Sequence, residues 1–174
     1  MNEKSFFFTQ LPVFGQIGPK TVMDRSVHPP RIQELHCVID VLPSSDTFEV
    51  FPCIIFSGRI LAALLAAECS GFAVRGGLFE ASEIFNELRQ GSPIPELRWC
   101  EITGVPYKDD LGLARQTRLI VSEKAKTVIE SKEHDGVTFT LGEQVPTDAE
   151  ITASLFEGAA RVAEDLRKKR RRDS

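Results

Sequence analysis

Two stretches of this chain carry one pattern. Ile55-Phe56-Ser57-Gly58-Arg59 is echoed 65 residues later by Ile120-Val121-Ser122-Glu123-Lys124, and the offset persists without a gap, so that Gly71 falls on Gly136 and Gly77 on Gly142. Each copy reads as an apolar strand, a serine that caps a helix, a glycine that stops it, and a return strand. A duplicated packing unit explains most of the apolar pattern as architecture. Two such units are too few for a solenoid, which needs about three repeats or more. The expectation is therefore an α/β (or α+β) fold, a single domain with two related strand-helix-strand units.

The domain organisation follows from the flanks. Residues 1–32 contain Pro12, Gly15, Gly18, Pro19, Pro29 and Pro30 and lack sustained periodicity, so an irregular N-terminal arm is expected, with at most a short strand near Phe6 to Phe8. Residues 33–146 form the core, with the duplication at about 50–77 and 115–142. Its first strand runs from Leu35 to Val41. Phe48 to Phe56 follows, with Pro52 placing it at an edge or a bulge, because proline donates nothing to a ladder. The first helix starts at Ser57, is apolar almost all round and stops at Gly71. Phe72 to Val74 returns, Gly76-Gly77 turns, and a short helix covers Ala81 to Arg89. Leu97 to Thr103 is a further strand, with Trp99 and Glu101 on one face and Cys100 and Ile102 on the other. Residues 104–110 are a polar loop, Arg118 to Val121 opens the second copy, and Val137 to Leu141 closes it.

Residues 147–174 stand apart as a C-terminal amphipathic helix with a basic tail. Thr147-Asp148-Ala149-Glu150 is a capping box, and Ile151, Leu155, Ala159, Val162 and Leu166 recur at helical spacing. A helix reaching Arg172 would be ~38 Å long at 1.5 Å per residue. It either docks on its own core or meets a partner, and a homo-oligomer through this helix is one such use.

Charge is distributed unevenly along the chain. The net charge is −4; residues 167–172 carry six positive charges and Asp173 subtracts one, so the tail is +5 and the remainder −9. An acidic body favours a basic partner and disfavours nucleic acid as the main one. The short basic block, without interleaved aromatics, reads first as a helix end whose cations complement the macrodipole. No apolar run reaches the ~20 residues a membrane span requires. The beginning, Met1 to Phe8, lacks the features of a signal peptide. A cytoplasmic protein without a membrane partner is expected.

Motifs that would define a reaction are missing from the sequence. It contains no nucleophile elbow, no phosphate-binding loop and no dinucleotide fingerprint. The histidines, His28, His36 and His134, are scattered, and no His or Cys spacing matches a zinc site. Cys37, Cys53, Cys69 and Cys100 form no Cys-x-x-Cys pair and read as buried free thiols. A thiol or carboxylate enzyme remains an alternative, with Cys100 or Glu101 near His134. Glu101, Asp109 and Asp110 lie close in sequence to Trp99 and Tyr107. An acidic turn beside a core tryptophan is the plain reading. A protein-binding rim, with the aromatics as anchors, is the functional one.

At these residues a resemblance enters. His36-Cys37-Val38, Phe51-Pro52-Cys53, Leu97-Arg98-Trp99-Cys100-Glu101-Ile102-Thr103-Gly104, Asp109-Asp110-Leu111-Gly112-Leu113 and Leu119-Ile120-Val121-Ser122-Glu123-Lys124-Ala125 resemble a group of small bacterial proteins. Some of these are immunity proteins of polymorphic or contact-dependent toxin systems. The resemblance covers residues 35 to 141. It implies a cytoplasmic, non-enzymatic inhibitor that binds a cognate toxin protein, with no cofactor, metal or catalytic residue. Trp99, Glu101, Tyr107, Asp109 and Asp110 are the candidate partner-binding residues. The rival readings are an oligomeric scaffold or a nucleic-acid-associated protein using the C-terminal helix and basic tail.

Overall fold

In a computed structural model, residues 5–89 and 91–142 are described, and they build three sheets and three helices in a mixed α/β, strand-rich arrangement. The strands are β1 (Phe6–Gln10), β2 (Gly15–Ile17), β3 (Val22–Asp24), β4 (Arg31–Ile39), β5 (Thr47–Val50), β6 (Cys53–Ser57), β7 (Phe72–Arg75), β8 (Gly77–Ala81), β9 (Leu97–Ile102), β10 (Leu111–Ala114), β11 (Arg118–Ser122) and β12 (Thr138–Leu141). The helices are α1 (Gly58–Ala66), α2 (Glu83–Leu88) and α3 (Glu123–Glu130). The C-terminal helix expected from residue 147 onward lies outside the described residues.

Two of the sheets share one pattern of strand pairing. The order is β5-β6-β9-β7 in one sheet and β10-β11-β1-β12 in another. In each, a hairpin leads into a helix, the chain returns as the fourth strand of the order, and a strand from elsewhere is inserted as the third, between the hairpin and the returning strand. That inserted strand comes from before the other copy: β1 completes the second unit and β9 the first. The registers agree residue by residue. Phe8 lies opposite Ile120 and Thr140, and Trp99 lies opposite Ile55 and Arg75, which are the same positions 65 residues earlier. Each helix begins on a serine in extended conformation whose side chain accepts the third helical N–H: Ser57 from Ile60 and Ser122 from Ala125. Gly71 and Gly136 both hold positive φ, at 96° and 77°, after the helices. This is the left-handed geometry that glycine adopts without a Cβ clash.

Two apolar clusters explain the burial. In one, Ile60, Leu61 and Leu64 of α1 meet Ala125 and Ile129 of α3 over Ile54, Phe56, Leu119 and Val121. The positions Ile60 and Leu64 repeat as Ala125 and Ile129, so the two helices offer matching faces. The other cluster packs Phe48, Ile55, Leu97 and Trp99 against Leu35, Cys37, Ile39 and Phe85. β6 lies between the clusters, which is why all five of its residues are buried. A strand covered on both faces reads as a continuous apolar run.

Three sequence expectations are corrected. Residues 5–32 are not irregular: β1, β2 and β3 lie there, and β1 is an interior strand of its sheet. Its neighbours are remote in sequence, so only the pairing partner reveals it. Phe48 to Phe56 is not one strand but the hairpin β5-β6, with Phe51-Pro52 (a cis peptide) at its turn, where no ladder donor is needed. Gly77 does not turn the chain but opens β8, which runs parallel to β4 and leads directly into Ser82, the cap of α2.

Candidate functional site

Each helix start carries a second shared device, an aspartate under the capping serine. Ser122 Oγ donates to Asp110 Oδ1 at 2.7 Å, and Ser57 Oγ donates to Asp46 Oδ1. The serine amides donate to the same aspartates' carbonyls, both at 2.8 Å. A basic residue two positions into each helix completes the set: Arg59 reaches Asp46 at 3.2 Å and Lys124 reaches Asp110 at 2.8 Å. Each aspartate also ties down the loop after the other copy's helix. Asp46 accepts the Glu133 amide at 3.0 Å, and Asp110 accepts the Ser70 amide at 3.0 Å. Both carboxylates are buried, 3% and 4% exposed, and fully engaged. Burial pushes the Asp110 carboxyl up, but donation from Lys124, Ser122 and the Ser70 amide outweighs it and brings the pKa down to about 2.

The five residues expected to bind a partner fall into three places. Trp99 is 8% exposed and belongs to the core. With Glu101 it lines a shallow hollow of about 210 Å³ beside Pro30 and Pro52. Glu101 is held by Arg75 at 2.6 Å. Tyr107 is exposed and rests edge-on against Phe6, ring centres 5.8 Å apart. Asp109 folds back on its own loop, accepting the Val105 amide at 2.7 Å, and Asp110 is the buried cap aspartate. Trp99 and Glu101 thus share one hollow, and Asp109 and Asp110 share the Ser70 loop, where they accept from Ser70 Oγ at 3.2 and 3.4 Å.

The larger concavity lies elsewhere. A cleft of about 480 Å³ opens at the start of α1, with Leu97 and Pro43 as apolar walls and Asp46, Arg59, Glu96 and Glu133 as its charged groups. Arg59 bridges Asp46 and Glu133, the latter at 3.1 Å, while Glu96 pairs with Arg98 at the rim at 2.8 Å. The pattern missed by sequence reasoning is Asp46 with Glu133. Asp46 corresponds to Asp110 at an offset of 64, not 65, because the β10-β11 turn is one residue longer than the β5-β6 turn. The signal was present in the sequence but displaced by that insertion.

Buried thiols offer no ready nucleophile. Burial pushes Cys37, Cys53 and Cys100 up to about 12, and Cys69, which is half-buried, is also raised. His134 Nδ1 lies 2.7 Å from the Lys132 carbonyl oxygen. Among the described residues, no group of three or more His, Cys, Asp or Glu side chains is placed to hold a metal ion. None of the described helices is long and apolar enough to cross a membrane. Comparison of the chain with protein-family models, curated proteins and solved structures finds no match.

Proposed function

We propose that this is a non-enzymatic binding protein of the immunity type, which binds a cognate bacterial toxin domain and neutralises it. The observation that carries the reading is the cleft at the start of α1. It joins apolar walls to three carboxylates and one guanidinium, on residues 1–142, where 18 Asp and Glu against 14 Lys and Arg leave a net charge of −4. Such a surface attracts a basic protein by long-range steering and holds it by apolar contact. The resemblance of residues 35 to 141 to immunity-type proteins supports the same reading. The high thiol pKa values of Cys37, Cys53 and Cys100 weigh against a thiolate mechanism at those positions.

The test is affinity capture of tagged protein from lysate of its native cells, at low and at moderate salt. The captured protein is then identified and assayed for toxicity with and without this chain. One stoichiometric basic partner whose toxicity is suppressed supports the proposal. Recovery of no protein, or of a partner whose activity is unaffected, rejects it.

A further inference from the structure

The two copies differ where the cleft lies, and that difference says what the cleft lacks. Strand pairing sets Leu97 opposite Ser57 and Phe6 opposite Ser122, so Leu97 and Phe6 are equivalent. The preceding residues match as well: the Gly58 amide donates to the Glu96 carbonyl and the Glu123 amide to the Ser5 carbonyl, both at 3.0 Å. Counting back from the cap aspartates, Pro43 stands where Tyr107 stands. In the second copy the Tyr107 ring lies on Phe6, with a backbone φ of 65°. Proline is locked near −65° and cannot take that conformation. In the first copy, then, both the ring and the backbone turn that delivers it are lost, and the cleft opens there between Pro43 and Gly58, beside Leu97, which is itself only 3% exposed. Gly58, replacing Glu123, widens the same place; the nearest atoms to a side chain added there belong to Glu96 alone.

We infer that this cleft receives an aromatic side chain from the partner protein, seated between Pro43 and Gly58 beside Leu97, in the place that Tyr107 takes beside Phe6, and flanked by basic residues that meet Glu96 and Glu133. The inference rests on the binding-protein reading above and narrows it to a recognition element. Charge complementarity chooses the flanks: both glutamates are exposed, at 65% and 62% of their side-chain surface, and each shares its arginine with solvent. An incoming guanidinium can therefore join either pair without displacing buried charge. The ring supplies what the exposed ion pairs do not, since such pairs contribute little alone.

The experiment titrates the full chain with the blocked tripeptide Arg-Tyr-Arg and follows backbone amide NMR shifts. The controls are Arg-Ala-Arg and Glu-Tyr-Glu. Binding of Arg-Tyr-Arg, with the largest shifts at Gly58, Arg59 and Leu97 and at least tenfold weaker binding of both controls, is expected. Gly58→Trp, which fills the cleft, is expected to abolish the response, and Glu96→Lys to weaken it severalfold. The inference is overturned if Arg-Ala-Arg binds as well, if Glu-Tyr-Glu binds as well, if no peptide binds at millimolar concentration, or if Gly58→Trp binds like the parent. The peptide comparison on the parent chain decides the matter even if Gly58→Trp misfolds. A toxin-type partner that still binds Gly58→Trp would reject the cleft while leaving the inhibitor reading intact. Peptide binding with no suppressed toxin would do the reverse.

Discussion

Replacing Asp110 with asparagine tests the cap network most sharply. The carboxylate is 4% exposed and accepts from Ser122 Oγ, the Ser70 amide and Lys124. Its pKa falls from 3.8 to about 2 on folding. At about 1.4 kcal/mol per pKa unit, that shift corresponds to roughly 2 kcal/mol of stability at neutral pH. The sign is that of a depressed acid. The contribution is fully present above the unfolded value near 3.8 and is lost as pH falls toward 2, where the folded group also protonates. Asp110→Asn removes the charge and turns an amide donor toward groups that already donate. We expect a loss of about 2–4 kcal/mol at pH 7 by urea denaturation. The gap between parent and variant should narrow by roughly 2 kcal/mol between pH 4 and pH 2, with a slope difference of at most about 1.4 kcal/mol per pH unit. A gap that stays constant through that window, or one under about 0.5 kcal/mol at pH 7, would refute the assignment of Asp110 as an ionised structural acceptor.

Other outcomes follow from the same geometry. Ser57→Ala and Ser122→Ala each remove a helix cap and a donor to a buried carboxylate, so each should cost about 2 kcal/mol in denaturant unfolding. Gly71→Ala should be far worse than Gly136→Ala, although both glycines hold positive φ. A Cβ at Gly71 overlaps the Leu111 carbonyl oxygen, whereas one at Gly136 meets only Pro12 at 3.1 Å. A loss above about 2 kcal/mol is expected for the first and about 1 kcal/mol for the second, while Gly76→Ala, which meets nothing, should stay within about 0.5 kcal/mol. In alkylation of the native protein followed by peptide mapping, Cys69 should react first, and Cys37, Cys53 and Cys100 only on unfolding.

How much of this was legible in the sequence depends on whether a signal was local. The capping serines and the helix faces were readable, because each is set by residues within one turn or one strand, but the glycines are not the helix stops they look like: α1 ends at Ala66, capped at Ala67, and α3 ends at Glu130, capped at Ser131, both short of Gly71 and Gly136. β1 was not readable as an interior strand, because Phe6 to Gln10 finds its partners more than a hundred residues away. The hairpin β5-β6 was hidden because β6 is a continuous buried run and the two-residue turn Phe51-Pro52 puts no polar residue between it and β5, so only Pro52 marked the turn. The site residues divided along the same line. Trp99 and Asp110 were conspicuous as residue types, yet one is used by the core and the other by a helix cap. The cleft was illegible because Pro43, Gly58, Leu97 and Glu133 come together only after the two copies exchange β1 and β9. What distinguishes those residues is their difference from the other copy, and that comparison requires the pairing register.

The central claim is that the acidic cleft at the start of α1 is where a basic protein partner binds and is neutralised. Its most direct measurement is affinity capture with the parent chain and Gly58→Trp side by side, followed by an assay of the captured protein's toxicity. One basic partner, bound and inhibited by the parent and released by the filled-cleft variant, is the predicted result. A partner held equally by both chains, or no inhibited partner at all, would contradict it.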